Sequence, residues 1–215
     1  MVAVRPTRNL FYRPYPRQAA FHAAGAQHRE RLFMAGNQLG KSLAGAMEVA
    51  FHLTGRYPPW WVGRRFGHAV RFWAASDTAE TTRDNVQRHL LGPPHHDTAW
   101  GTAAIPGRAI LRTVKGRNAP GALSAVVVRH VSGAESVVAF KSYDQGRSKW
   151  QGESLDGVWF WGALLTGLSA MLGIFGVDVS DAERNVLVES VATVGAVVGT
   201  VTAVYGRLRA EKRIG

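Results

Sequence analysis

The first 160 residues predict an α/β domain with a central, mostly parallel sheet, and residues 161–215 predict a helical hairpin. Two observations carry this reading. Apolar runs of strand length alternate with helical stretches and polar loops as far as Phe160. Beyond that point charge is confined to short clusters: none falls between Asp156 and Asp178, and a second uncharged run covers 190–206.

Taken in order, strands are expected at 31–35, 69–75, 109–113, 125–130, 136–141 and 155–160, where β-branched and aromatic residues cluster between turn formers. Helices are expected at 17–24, 41–53 and 77–91. Gly92-Pro93-Pro94-His95-His96-Asp97 reads as a loop.

Between the first strand and the second helix stands Ala35-Gly36-Asn37-Gln38-Leu39-Gly40-Lys41-Ser42. A glycine-rich turn there aims backbone N–H groups at one point, beside the positive end of the helix dipole. Gly36, Asn37, Gln38, Leu39 and Gly40 would cradle phosphates, Lys41 would reach the outer ones, and the Ser42 hydroxyl would ligate Mg²⁺. The spacing departs from the usual motif in one place, since its first glycine falls on Ala35. The fold class is therefore a P-loop NTPase of the ASCE-like kind, with ATP and Mg²⁺ as the expected ligands.

Charge points to a second partner. The chain of 215 residues has a net charge of +11, and all of the excess lies in residues 1–160. The remainder balances, so the basic part suggests a polyanion, with nucleic acid the natural candidate. With no cysteine, a disulfide framework and thiolate metal sites are excluded. Met1 to Arg8 leads into no apolar signal segment, so a cleaved secretion signal is not expected.

Four blocks in this order resemble the large terminase subunit, the ATPase of genome packaging in tailed bacteriophages. They are Pro14-Tyr15-Pro16-Arg17-Gln18, the loop from Gly36 to Ser42, Ser76-Asp77-Thr78-Ala79-Glu80-Thr81-Thr82-Arg83-Asp84, and Trp150-Gln151-Gly152-Glu153-Ser154-Leu155-Asp156-Gly157-Val158-Trp159-Phe160. The resemblance spans roughly residues 10–160. It implies that Gln18 contacts adenine and that Arg147 could serve as an arginine finger. It also implies double-stranded DNA, a portal, a small terminase subunit and further copies of the chain as partners, in the host cytoplasm.

The pattern fails at the catalytic strand. A carboxylate to organise Mg²⁺ and a second to orient water should follow Phe160, and Trp161 and Gly162 stand there instead. Asp156 precedes the strand, roughly 16 Å from the required end. No nuclease triad follows. The expectation is a truncated motor domain that holds ATP but hydrolyses it poorly or not at all.

The 21 uncharged residues 157–177 are long enough to span a bilayer, and Gly195 and Gly199 have the spacing of close helix packing. Residues 161–215 resemble small two-helix membrane proteins of the holin type. A membrane hairpin over 157–206, anchored in the inner membrane, is the expectation, with a soluble hairpin packed on the first domain as the alternative. An alternative function follows: a holin-like membrane protein whose first half is a relic or fusion.

Overall fold

The structure, a computed structural model, describes residues 12–33, 39–117, 119–145, 150–151 and 153–161. All of these belong to the first of two units, Met1–Gly162 and Ala163–Gly215. Five strands form one sheet: β1 (Arg71–Ser76), β2 (Ile110–Lys115), β3 (Leu123–Arg129), β4 (Glu135–Ser142) and β5 (Gly157–Phe160). Their spatial order is β2-β3-β4-β1-β5. β1 runs parallel to both neighbours, with Phe72 level with Val138 of β4 and Gly157 of β5. β2, β3 and β4 pair antiparallel.

The sheet is thus mixed, where the sequence predicts a mostly parallel one. Connection length decides the sense of pairing. Residues 130–134 join β3 to β4, and 116–122 join β2 to β3; neither is long enough for the crossover that parallel strands need. The expected strand at 31–35 is corrected as well. Arg31 to Phe33 are not strand, and Met34 and Ala35 lie outside the described residues. Local contacts hold this segment: Arg31 donates to the Phe21 carbonyl at 2.9 Å, and Phe33 stacks on Phe21 at 4.9 Å.

Helix α1 (Pro16–Ala24) begins with proline in its first turn, where the missing N–H costs nothing. Helix α2 (Lys41–Thr54) is buried from Ala44 to Thr54 on all sides, not along one stripe. Its Met47, Phe51 and Leu53 join Phe72, Val126, Val138 and Phe140 of the sheet in the core.

One charge sits inside this apolar helix. The Glu48 carboxylate receives the Arg31 guanidinium at 2.5 and 3.2 Å and lies 2.7 Å from His22 Nδ1 and 3.5 Å from His52 Nε2. Tyr12 Oη lies 3.0 Å from the other nitrogen of His22. The chain before α1, α1 itself and the segment leading to the glycine-rich loop are thereby tied to one point on α2.

The single helix expected over 77–91 is interrupted. Helix α3 (Ala79–Thr81) is capped by Thr78, whose hydroxyl accepts from the Thr81 N–H at 3.1 Å. A π-helical turn follows (Thr82–Gln87), then α4 (Arg88–Leu91). Thr82 Oγ1 lies 2.8 Å from the Thr78 carbonyl and 3.1 Å from that of Lys141, so its single proton is shared between its own helix and β4. Buried Gln87 donates to the Gly121 carbonyl and accepts from the Leu123 N–H, pinning the start of β3.

The membrane hairpin over 157–206 is corrected at its start. Residues Gly157–Phe160 are a sheet strand, which the backbone N–H of Trp161 continues. Among the described residues, no helix is long and apolar enough to cross a membrane. The rest of the run, and the second one, lie outside the described residues.

Candidate nucleotide-binding site

Helix α2 runs antiparallel to the parallel strands, and two indoles fix this. Side chains two apart on a strand share a face, and residues three apart on a helix lie one turn apart. Trp159 of β5 packs against Gly45, and Trp161, two residues on, reaches Ser42. Further along α2, His52 stacks on Phe72 near the start of β1. The N-terminus of α2 therefore lies at the carboxyl end of β1 and β5. That is where open α/β sheets bind ligands, and where the helix dipole is positive.

Glycine is required at two places along this approach. Gly40, the residue that caps α2, takes φ +74°, in the left-handed region. A Cβ on Gly45 would stand 2.4 Å from Trp159 Nε1. Gly45→Ala is a clean test of that contact. Alanine favours a helix interior by about 1 kcal/mol, but forcing the indole aside costs about 1–3 kcal/mol. A net loss of stability in urea unfolding is expected; a gain would show that Trp159 is free to move.

Gln18 is buried and joins α1 to the loop. Its amide N–H₂ donates to the carbonyls of Gly40 and Leu39 at 3.2 and 3.4 Å. Its carbonyl accepts from the Tyr15 N–H at 2.9 Å and from the Tyr12 hydroxyl at 3.4 Å. The amide expected to contact adenine thus has its hydrogen bonds within the chain. A Cβ on Gly40 would lie 2.6 Å from Gln18 Nε2, which makes the pair a close fit.

Trp161 extends β5 by one rung, its N–H donating to the Ala75 carbonyl at 2.8 Å. Its indole N–H donates to Ser42 Oγ at 2.5 Å. Asp156 is at the opposite end of the sheet: its carboxylate accepts from the Arg71 N–H at 2.8 Å, at the start of β1. Asp77 closes the carboxyl end of β1. Burial raises its pKa, but the hydroxyl of Ser76 at 2.7 Å, with backbone N–H groups and Thr81, outweighs burial and holds it below the usual carboxylate range. On the opposite face of the sheet, Trp150 stacks on Tyr143 and Phe160, with ring centroids 5.4 and 5.9 Å apart. Glu153 accepts from the Trp73 indole at 3.0 Å.

Of the residues read from sequence, the structure brings Gln18, Leu39, Gly40, Lys41 and Ser42 to one place. Gly36, Asn37, Gln38 and Arg147 lie outside the described residues. Sequence reasoning missed the contact of Trp161 with Ser42, which spans 119 positions, and the Glu48 network. A glutamate amid the apolar residues of α2, with His52 one turn on, is the signal that marked the second.

Residues 32–160 match the model of the terminase large-subunit N-terminal family, T4likevirus-type. The chain belongs to this family. The terminase match ends one residue before Trp161. The large terminase subunit of Salmonella phage P22 is 42% identical over 174 residues, covering 73% of this chain and 35% of that protein. The chain thus spans about a third of the length of the curated terminase that it matches. No solved structure matches.

A cation at this terminase loop would need the Ser42 oxygen and carboxylate help. Ser42 Oγ accepts the Trp161 indole N–H on one side, and its other acceptor side would be the one to face Mg²⁺, with phosphate oxygens and water completing the ion's shell.

Proposed function

We propose that this chain is the nucleotide-binding part of a terminase large subunit of phage DNA packaging, that it binds the phosphates of ATP at residues 36–42, and that it hydrolyses ATP poorly. The observation that carries the reading is the placement of Gly40, Lys41 and Ser42 at the first turn of α2, at the carboxyl end of the parallel strands. The first turn of a helix offers unpaired backbone N–H groups and the positive end of the dipole to an anion, and Lys41 is the first residue of α2. Family membership supports packaging as the setting. Slow hydrolysis follows from Trp161, since positioning of the attacking water supplies much of phosphoryl-transfer catalysis and an indole offers no base.

Thermal unfolding with ATP tests the binding. A raised melting temperature is expected for the unaltered chain, and none for Lys41→Ala. An equal rise in both proteins would show that ATP binds elsewhere than at this loop. Turnover at an ordinary motor rate would contradict the second half of the proposal.

A further inference from the structure

We propose that His22, Tyr12 and Gln18 form a hydrogen-bond relay through which protonation of His22 Nε2 tightens the hold of Gln18 on the turn that caps α2. The three side chains are linked in series. His22 Nε2 is 3.0 Å from Tyr12 Oη, and Tyr12 Oη is 3.4 Å from Gln18 Oε1. Gln18 Nε2 in turn lies 3.2 and 3.4 Å from the carbonyls of Gly40 and Leu39. All three side chains are buried, so bulk water does not compete for these bonds. The relay needs no nucleotide.

Donor and acceptor roles decide what the relay does. Burial raises the Glu48 pKa, but hydrogen bonds from His22, His52 and Arg31 and the charge of Arg31 outweigh it, so Glu48 stays an acceptor-only carboxylate. His22 Nδ1, 2.7 Å from that carboxylate, therefore carries a proton in either charge state of the ring. Nε2 is the position that gains or loses one, and histidine ordinarily titrates between about pH 5 and 8. Burial, then the charge of Glu48, raise the Tyr12 pKa above its ordinary value of 10, so the hydroxyl keeps its one proton. With Nε2 bare, that proton goes to Nε2, at the shorter distance. With Nε2 protonated, Nε2 donates to Tyr12 Oη and the Tyr12 proton turns to Gln18 Oε1. That oxygen has two acceptor sites, and the Tyr15 N–H at 2.9 Å takes only one.

Gln18 is then held from both sides, and its amide grips the carbonyls on which α2 begins. Gly40 stands at φ +74°, and its carbonyl also accepts the Ala44 N–H at 2.9 Å, the first hydrogen bond of the helix. The close fit of Gln18 Nε2 against Gly40 passes any shift of the amide to the turn. The groups facing His22 come from every element around it: Tyr12 before α1, Arg31 after it, Glu48 and His52 on α2, and the rings of Trp60 and Trp61 beyond. Arg31 and Glu48 keep their charges over the histidine range. His52 can titrate too, but its Nδ1 meets Tyr57 at 3.0 Å, so its proton leads away from Gln18.

Heteronuclear NMR of the nucleotide-free chain from about pH 5 to 8 tests the relay, following the His22 ring, the Gln18 side-chain amide and the Gly40 backbone amide together. The Gln18 and Gly40 signals are expected to titrate with the midpoint of His22. The protection factor of the Ala44 amide should be about two- to tenfold higher below that midpoint, the change that one hydrogen bond supplies. Tyr12→Phe keeps the ring in the core and removes the middle link: His22 should still titrate, while Gln18 and Gly40 cease to follow it. Coupling between sites is reciprocal, so Gln18→Met, the second variant should the first not fold, should lower the His22 midpoint by about half a pH unit, since the protonated state loses the acceptor for the Tyr12 proton. The relay is overturned by Gln18 and Gly40 signals that stay fixed while His22 titrates, or that still follow it in Tyr12→Phe. A His22 ring that does not titrate in the folded chain, or a midpoint unmoved by Gln18→Met, would overturn it equally. Each of these outcomes leaves the ATP test at Lys41 untouched.

Discussion

Glu48→Ala is expected to destabilise the chain by about 3–5 kcal/mol, the range for removing one partner from a buried ion pair. Glu48 is 6% exposed, and its carboxylate is the common acceptor for Arg31 and His22 and a close neighbour of His52. Removing it leaves the guanidinium without its main acceptor, and the buried Arg31 Nε already has no hydrogen-bond partner. Urea unfolding with an unchanged m-value would read the loss directly.

The same carboxylate sets an acid limit. Burial raises its pKa, yet hydrogen bonds from His22, His52 and Arg31 and the charge of Arg31 outweigh that and hold it well below its ordinary value. A depressed folded pKa contributes stability that is fully present above the unfolded value, near 4.5, and is lost as pH falls toward the folded value. Glu48→Gln should flatten this part of the stability profile below about pH 4.5. An acid limb unchanged by Glu48→Gln would place the titration elsewhere.

What the sequence made legible was local. Helices at 17–24 and 41–53 and the strands around Val126 and Val138 fall within a few residues of their observed bounds, because apolar period and capping residues act over short range. Gly40, Lys41 and Ser42 were readable for the same reason, since the turn, the lysine and the helix start are contiguous. Strand pairing was not read, although the short links from β2 to β3 and from β3 to β4 contain that information. The segment after Arg31 has strand-like residues, but Phe21 and Glu48 hold its first part against α1 and α2, an outcome no propensity encodes. Thr82, the first residue of the π-helical turn, also reaches a carbonyl on β4, a contact that only the assembled sheet supplies. The meeting of Trp161 with Ser42 required knowing that α2 runs antiparallel to β5, which only the assembled sheet supplies.

DNA binding, the expectation drawn from the positive charge of residues 1–160, carries the largest expected effect of solution conditions. Affinity for double-stranded DNA should fall by about a thousandfold to a hundred-thousandfold between roughly 50 and 200 mM salt, the range for a protein that neutralises ~6–10 phosphates. The supply of charge is sufficient, since the net +11 lies entirely within residues 1–160. Not every arginine counts equally. Arg112 is bound to Glu135 at 2.9 Å and Arg83 to Asp84 at 2.8 Å, so both would have to exchange partners to meet a phosphate. Lys115 and Arg117, at the end of β2 and in the link to β3, are exposed. If both meet the DNA backbone, replacing them with alanine should weaken binding to all sequences alike and reduce the slope of log K against log salt by about 2. The measurement is fluorescence anisotropy with two unrelated duplexes across a salt series. An affinity insensitive to salt would exclude counterion release as the driving term, and a marked preference for one duplex would require base contacts that backbone neutralisation does not supply.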